Sequence, residues 1–99
     1  MKRFRIHPGA IAEVDDAAAY YKQKAEGLEQ RFLDEFEDAL TQIRRRPMMY
    51  RIVANAIHKC RLRHFPYGLI YRLQNDVVEV VAVMHLRKDP EYWKPRTVE

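Results

Sequence analysis

Lys59, Arg61 and Arg63 recur at every second position, so a strand through them projects three cations from one face. Tyr67, within a break at Pro66-Tyr67-Gly68, and Tyr71, on the run after it, come next. His85 and Arg87 close a later apolar run, with Lys88, Tyr92 and Trp93 just beyond it. If neighbouring strands bring these side chains together, they form a groove of guanidinium, imidazole and phenol. Such a groove holds phosphates through charge-assisted hydrogen bonds and stacks bases on its rings. It also has the parts for RNA cleavage. That reaction needs a base for the 2′-hydroxyl proton, cations for the charge on the phosphoryl oxygens, and an acid for the leaving oxygen. Histidine is the side-chain type here whose ordinary pKa lies near neutrality, which makes His85 the candidate base. The plainer reading of the same pattern is a solvated strand face whose charges discourage edge-to-edge pairing.

Other chemistries are poorly supplied. His7, His58, His64 and His85 are far apart in sequence, with no HxxxH, CxxC or HExxH spacing, so no metal site is expected. Gly9, Gly27 and Gly68 are the only glycines, too few for a phosphate-cradling loop, and the chain contains no serine. Thr41 and Thr97 have no nucleophile elbow around them. No cofactor is expected. Cys60 is the single cysteine, which excludes an intrachain disulfide and suits a reducing compartment.

The elements that must position these residues follow from length and periodicity. The 99 residues, 47% hydrophobic and 32% charged, are read as one folded domain spanning 1–99. The net charge of +4 is uneven, since residues 47–99 carry nine basic against five acidic side chains. A basic half beside a balanced one points to an acidic or polyanionic partner. The basic start, Met1 to His7, lacks an apolar stretch behind it, and nothing approaches a membrane span. A cytoplasmic protein with no membrane partner is expected.

Phe4-Arg5-Ile6 reads as a short edge strand, and Pro8 suits the first turn of a helix. Ile11, Val14, Ala18, Tyr21 and Ala25 form one helical stripe that Gly27 ends. Leu28, Phe32, Phe36, Leu40 and Ile43 form a second stripe, stopped by Pro47. Acids early in that helix and Arg44-Arg45-Arg46 at its end suit the helix dipole. The period then changes to two: Arg51 to Ile57, Lys59 to Phe65, Leu69 to Leu73 and Val77 to His85 read as strands, the last apolar on both faces. The predicted fold class is α+β: an N-terminal strand and an antiparallel two-helix hairpin packed on one face of a mainly antiparallel sheet. The other face is left open or covered by something else.

With these pieces in order, the chain resembles the RelE/ParE superfamily of toxins from bacterial type II toxin–antitoxin systems. The resemblance runs through Tyr20-Tyr21, Gly27-Leu28-Glu29-Gln30-Arg31-Phe32, and Ile43 with Pro47. It continues through Arg61-Leu62-Arg63-His64-Phe65-Pro66-Tyr67, Ile70-Tyr71, and Val83 to Pro90 ahead of Tyr92-Trp93. It implies a β-α-α-β-β-β order and a cognate antitoxin whose flexible C-terminal segment wraps and neutralises the toxin. It implies, too, that the antitoxin and not this chain carries operator DNA binding. Two targets divide the superfamily. ParE-like members poison DNA gyrase by binding, and on that branch Lys59, Arg61, Arg63, Tyr71 and Trp93 are the expected target contacts. RelE-like members cut mRNA in the ribosomal A site, and on that branch Arg61, Arg63, His85, Arg87 and Tyr92 are the expected catalytic set. The Phe65-Pro66-Tyr67 and His85…Arg87…Asp89-Pro90…Trp93 pieces look more like the ParE-type and plasmid-stabilisation members, so the ParE branch is preferred. The nuclease is the alternative, and a non-toxic remnant that only binds antitoxin is a third reading.

Overall fold

A computed structural model describes residues 1–98; Glu99 lies outside the described residues. Strand β1 (Arg3–Ile6) leads into helices α1 (Pro8–Lys24) and α2 (Leu28–Arg45). Strands β2 (Arg51–Ala54), β3 (Ile57–Arg61), β4 (Tyr67–Gln74) and β5 (Val77–His85) follow, with a 3₁₀ turn at Lys94–Thr97. The five strands form one sheet in the order β1-β5-β4-β3-β2. Only the β1–β5 pair is parallel; the rest are antiparallel. The α+β class and the helical hairpin stand as the sequence predicts. No helix among the described residues is long and apolar enough to cross a membrane.

The helices form where the stripes required them, with one rotation. Phe32, Phe36, Leu40 and Ile43 are buried as expected, but α1 buries Ala10, Ala17 and Ala18 and leaves Ile11 about half exposed. Small alanines let α1 lie close to the sheet, so the face that docks is the alanine face rather than the bulkiest one. His7 caps α1, its Nδ1 accepting from the Gly9 N–H at 2.9 Å. Gly27 adopts φ 80° in the tight link, a left-handed conformation that glycine tolerates best. The Arg31 amide then donates to the Gly27 carbonyl at 3.1 Å and opens α2.

Two strand predictions need correction. The segment Arg51 to Ile57 is not one strand: Asn55 and Ala56 form a tight turn, with Ala56 at φ 53°, that separates β2 from β3. The Lys59–Phe65 run stops at Arg61, because Leu62 and Phe65 both turn under the helices and Pro66 cannot donate to a ladder.

The sheet has apolar side chains on both faces. Toward the helices, Cys60, Leu62, Phe65, Leu69, Tyr71, Val78, Val80 and Val83 join the core of α1 and α2. Toward the other side, Ile57, Ile70, Val81, Ala82 and Met84 receive Trp93. That second face is the one the sequence left open, and the tail after β5 covers part of it.

Candidate functional site

Strand alternation decides where the cations point. Cys60 faces the helices, so Lys59 and Arg61 face away from them, on the side of Ile57 and Ile70. Lys59 pairs in register with Ile70, Arg61 with Gly68, and across the other edge Arg51 pairs with Lys59. The Lys59 side chain lies over Gly68, where an added Cβ would stand 3.2 Å from Lys59 Cε. Partial burial lowers the Lys59 ammonium pKa, and the neighbouring Arg61 and Arg51 charges lower it further. The predicted row of three cations is therefore real for Lys59 and Arg61. Arg51 on the edge strand, which the sequence did not single out, is the third member.

Arg63 is not in that row. It lies beyond the end of β3 and, with Arg61 and His64, lines a cleft of 960 Å³ whose opposite wall is α2. Asp34, Glu35 and Asp38 stand on that helix wall. Glu35 bridges the cleft, accepting from the His64 amide at 2.7 Å and meeting His64 Nδ1 at 2.9 Å. Burial pushes the Glu35 carboxyl up, but the His64 contacts and the Arg63 backbone N–H together outweigh it and hold it below its ordinary value.

His85 occupies a third place. It pairs in register with Tyr67, and its ring meets the Tyr67 ring edge-on at 5.1 Å. Both face α1, in a niche of 200 Å³ that Glu13, Asp16, Ala17, Lys88 and Tyr92 also line, so the fold brings His85 and Tyr92 together. The His85 Nδ1 accepts from the Arg87 backbone N–H at 3.1 Å, which leaves Nε2 to carry the proton when the ring is neutral. The Arg87 side chain is exposed in the turn beyond β5.

Tyr92 is tied down. Its hydroxyl donates to Glu13 Oε2 at 2.7 Å, and Lys88 and Arg96 approach its ring at 4.4 and 5.3 Å. Burial, then the hydrogen bond and charge of Glu13, push the Tyr92 phenol well above its ordinary pKa. A phenol so held is not poised to give up its proton. Glu13 organises the whole neighbourhood. It receives two bonds from the Arg96 guanidinium at 3.0 and 3.1 Å and one from the Val83 N–H at 2.9 Å. Strand β1 leaves β5 at Val80, so the β5 edge beyond it has no strand partner. Glu13 and Arg96, the latter also donating to the Val81 carbonyl at 3.1 Å, take over that edge.

Tyr71 and Trp93 are corrections to the predicted target contacts. Tyr71 is fully buried, stacked on His58 at 5.1 Å with its hydroxyl donating to the Pro47 carbonyl at 2.5 Å. It faces the helices because its neighbours on β4 alternate, and burial raises its phenol pKa. Trp93 is 2% exposed and serves as the cover of the second face. Neither ring is presented to a partner in this fold. The expected single groove is thus divided: the Arg51–Lys59–Arg61 row runs at Arg61 into the α2 cleft with Arg63, and the niche of His85 and Tyr92 lies apart from both.

The geometry has the shape of known toxins. The chain aligns with a chromosomal ParDE toxin–antitoxin system from P. aeruginosa at a TM-score of 0.64 and 12% identity, covering 88% of this chain and 98% of the other. It aligns with the isolated E. coli RelE toxin at 0.61 and 15% identity, covering 96% and 95%. At such identities these likenesses concern the fold alone. In sequence, the chain is 28% identical over 90 residues to Toxin ParE2 of Mycobacterium tuberculosis, in two strains, covering 90% of this chain and 86% of the relative. The family model for the ParE toxin of the type II toxin–antitoxin system parDE matches residues 4–90. A match over that span, with the strand-hairpin-sheet order found above, means that the chain belongs to the ParE toxin family of type II toxin–antitoxin systems.

Proposed function

We propose that this ParE-family toxin arrests growth by binding a cytoplasmic target, with DNA gyrase the preferred one, and that a cognate antitoxin holds it inactive. The observation that carries the reading is the separation of Arg61 and Arg63, which line the α2 cleft, from His85 and Tyr92, which line the niche under α1 with Lys88. Arg61 projects from the face of the sheet away from the helices, whereas His85 faces α1 beside Tyr67. Tyr92 is committed to Glu13, and Arg63 lines the α2 cleft beside Arg61 rather than the His85 niche. General acid–base catalysis needs its groups within hydrogen-bond reach of one phosphodiester, and placement of Arg61 and His85 on opposite faces of the sheet supports binding over cleavage. Binding carries no such requirement: an exposed row of cations steers and holds an acidic surface wherever the catalytic groups lie. Lys59, Arg61 and Arg63 are the proposed target contacts.

Induction of the toxin without antitoxin tests the proposal. DNA breaks and an SOS response with intact messages are the expected lesion. Messages cut at ribosomal A-site codons with intact DNA would instead establish the nuclease. Growth without any lesion would leave a non-toxic antitoxin-binding remnant.

A further inference from the structure

Between Asp38 and Asp76 the chain carries no acidic residue, while Arg44, Arg45, Arg46, Arg51, Lys59, Arg61, Arg63 and Arg72 fall in that interval. The interval contains β2 and β3, the outer margin of the sheet. β2 is the terminal strand, so among the described residues no strand pairs with its outer edge. Natural sheets blunt such an edge with charges or prolines, and Arg51 with a bulge near Val53 does part of this. The rest of the margin does the opposite. Met48 is 68%, Met49 56%, Ile52 61% and Val53 37% exposed, four of the nine large exposed apolar residues within six positions. A free edge flanked by exposed apolar side chains calls for a partner.

The two sides of that edge differ in chemistry. Arg51 and Val53 lie on the same side as Lys59, around a cleft of 230 Å³ whose other walls include Met84 and Trp93. Arg51, Lys59 and Arg61 make no ion pair among the described residues, and Glu91, the carboxylate lining the cleft, is already paired with Lys94 at 2.9 Å. The indole Nε1 of Trp93 is buried without a hydrogen-bond partner among the described residues. Ile52, opposite His58, stands on the other side, which faces the helices yet is not reached by them. One side thus asks for anions and the other for apolar groups.

We propose that β2 is a docking edge for an extended segment of a partner chain that alternates acidic and apolar residues. Added as a further strand, such a segment pairs its backbone with β2. Its period of two sets carboxylates beside Arg51 and Lys59 and apolar side chains beside Ile52. A second copy of this chain does not fit, because pairing β2 with β2 would set Arg51 near its own counterpart and bring no carboxylate to Lys59. A nucleic acid fits poorly, since the exposed apolar residues of this margin, Met48, Met49, Ile52 and Val53, offer phosphates no hydrogen bond and bases no ring for stacking. Under the reading above, that partner is the antitoxin, and only this identification rests on it.

A short peptide alternating Glu with Val tests the edge directly, beside an isomer of the same composition with Glu and Val in separate blocks. The alternating peptide binds by calorimetry and slows amide exchange along Arg51–Ala54, and the block isomer binds much more weakly. Arg51→Glu with Lys59→Glu weakens the alternating peptide roughly tenfold, as does Ile52→Asp, with thermal midpoints unchanged. Equal binding of the two isomers, or no protection of β2, overturns the proposal. So does a single-stranded RNA oligonucleotide that displaces the peptide and is itself held by Arg51 and Lys59. Because these readouts use no living cell and no gyrase, their failure leaves the toxin reading untouched, and a missing gyrase lesion leaves them untouched.

Discussion

Arg61 and His85 lie in adjacent rows of the same sheet yet project from opposite faces. Arg61 pairs with Gly68, and Gly68 with Met84, while His85 pairs with Tyr67 one row away. Their backbones are two strands apart, about 10 Å, but Arg61 shares its face with Ile70 and Met84, and His85 shares its face with the helical core. This relationship is what weighs the ParE branch of the family over the nuclease branch.

His85→Ala is therefore expected to leave growth arrest intact when the toxin is induced without antitoxin. Loss of a proton-transfer group from a catalytic centre costs roughly 10²- to 10⁴-fold in rate. A collapse of toxicity on that scale, with the variant still folded by circular dichroism, would restore His85 to a catalytic role.

Arg61→Ala with Arg63→Ala removes two of the proposed target contacts, both exposed. Binding to gyrase is expected to weaken about tenfold and to lose much of its salt dependence, with the antitoxin still bound. Equal loss of both partners would mean that these arginines serve the fold or the antitoxin interface.

Glu13→Gln tests how the tail is held. The substitution removes a charge that pairs with Arg96 at 3.0 Å and accepts from Tyr92 and Val83. Breaking a largely buried pair by neutralising one member costs about 3 kcal/mol. Trp93 is the only tryptophan, so its emission reports the tail alone and is expected to shift to the red as the cover loosens. An unchanged spectrum with an unchanged melting temperature would show that apolar contact suffices. The guanidinium of Arg96 also crosses Gly9, where an added Cβ would lie 2.6 Å from Arg96 Cζ. Gly9→Ala should therefore displace Arg96 and reproduce part of the Glu13→Gln effect.

Tyr71→Phe keeps the stacking on His58 and deletes only the donor to the Pro47 carbonyl. A buried acceptor left unpaired costs about 1–3 kcal/mol, which for a domain of this size is roughly 4–8 °C in melting temperature per kcal/mol. Partner binding should not change, since the ring is fully buried.

Glu79 predicts the acid limb of stability. Burial pushes its carboxyl up, but hydrogen bonds from Arg72 at 2.7 Å and Arg5 at 3.2 Å together outweigh it and hold it below its ordinary value. A depressed folded value means the stabilisation is complete above the unfolded carboxyl pKa of about 4.3. It is lost as pH falls through the folded value. The urea midpoint should thus be flat near neutrality and decline below about pH 4. Glu79→Gln should lower the neutral midpoint and flatten that decline. An unaltered acid limb would assign it to Glu35, which His64 holds low in the same sense.

Much of this molecule is legible in the chain. The apolar stripe from Phe32 to Ile43, Pro8 and Gly27 at helix boundaries, and the period-two runs of β4 and β5 are local signals, set by geometry within one element. What a cleft or a face contains is not local. Strict alternation from Val78 and Val80, which face the helices, would turn His85 to the far side, the side of Arg61. The register slips between Ile70 and Tyr71 against β5, where Tyr71 meets Val80 and Ile70 meets Ala82. Val81 is the extra residue, and Val81 and Ala82 both face Trp93. That one bulge reverses the faces of Val83, Met84 and His85. The run from Val80 to Val83 hides it, because valine and alanine suit either face of a sheet covered on both sides. The sequence by itself determined the elements and their cations. The tertiary structure alone decided which of them share a surface, since one inserted residue on a central strand changes the partners of every side chain beyond it.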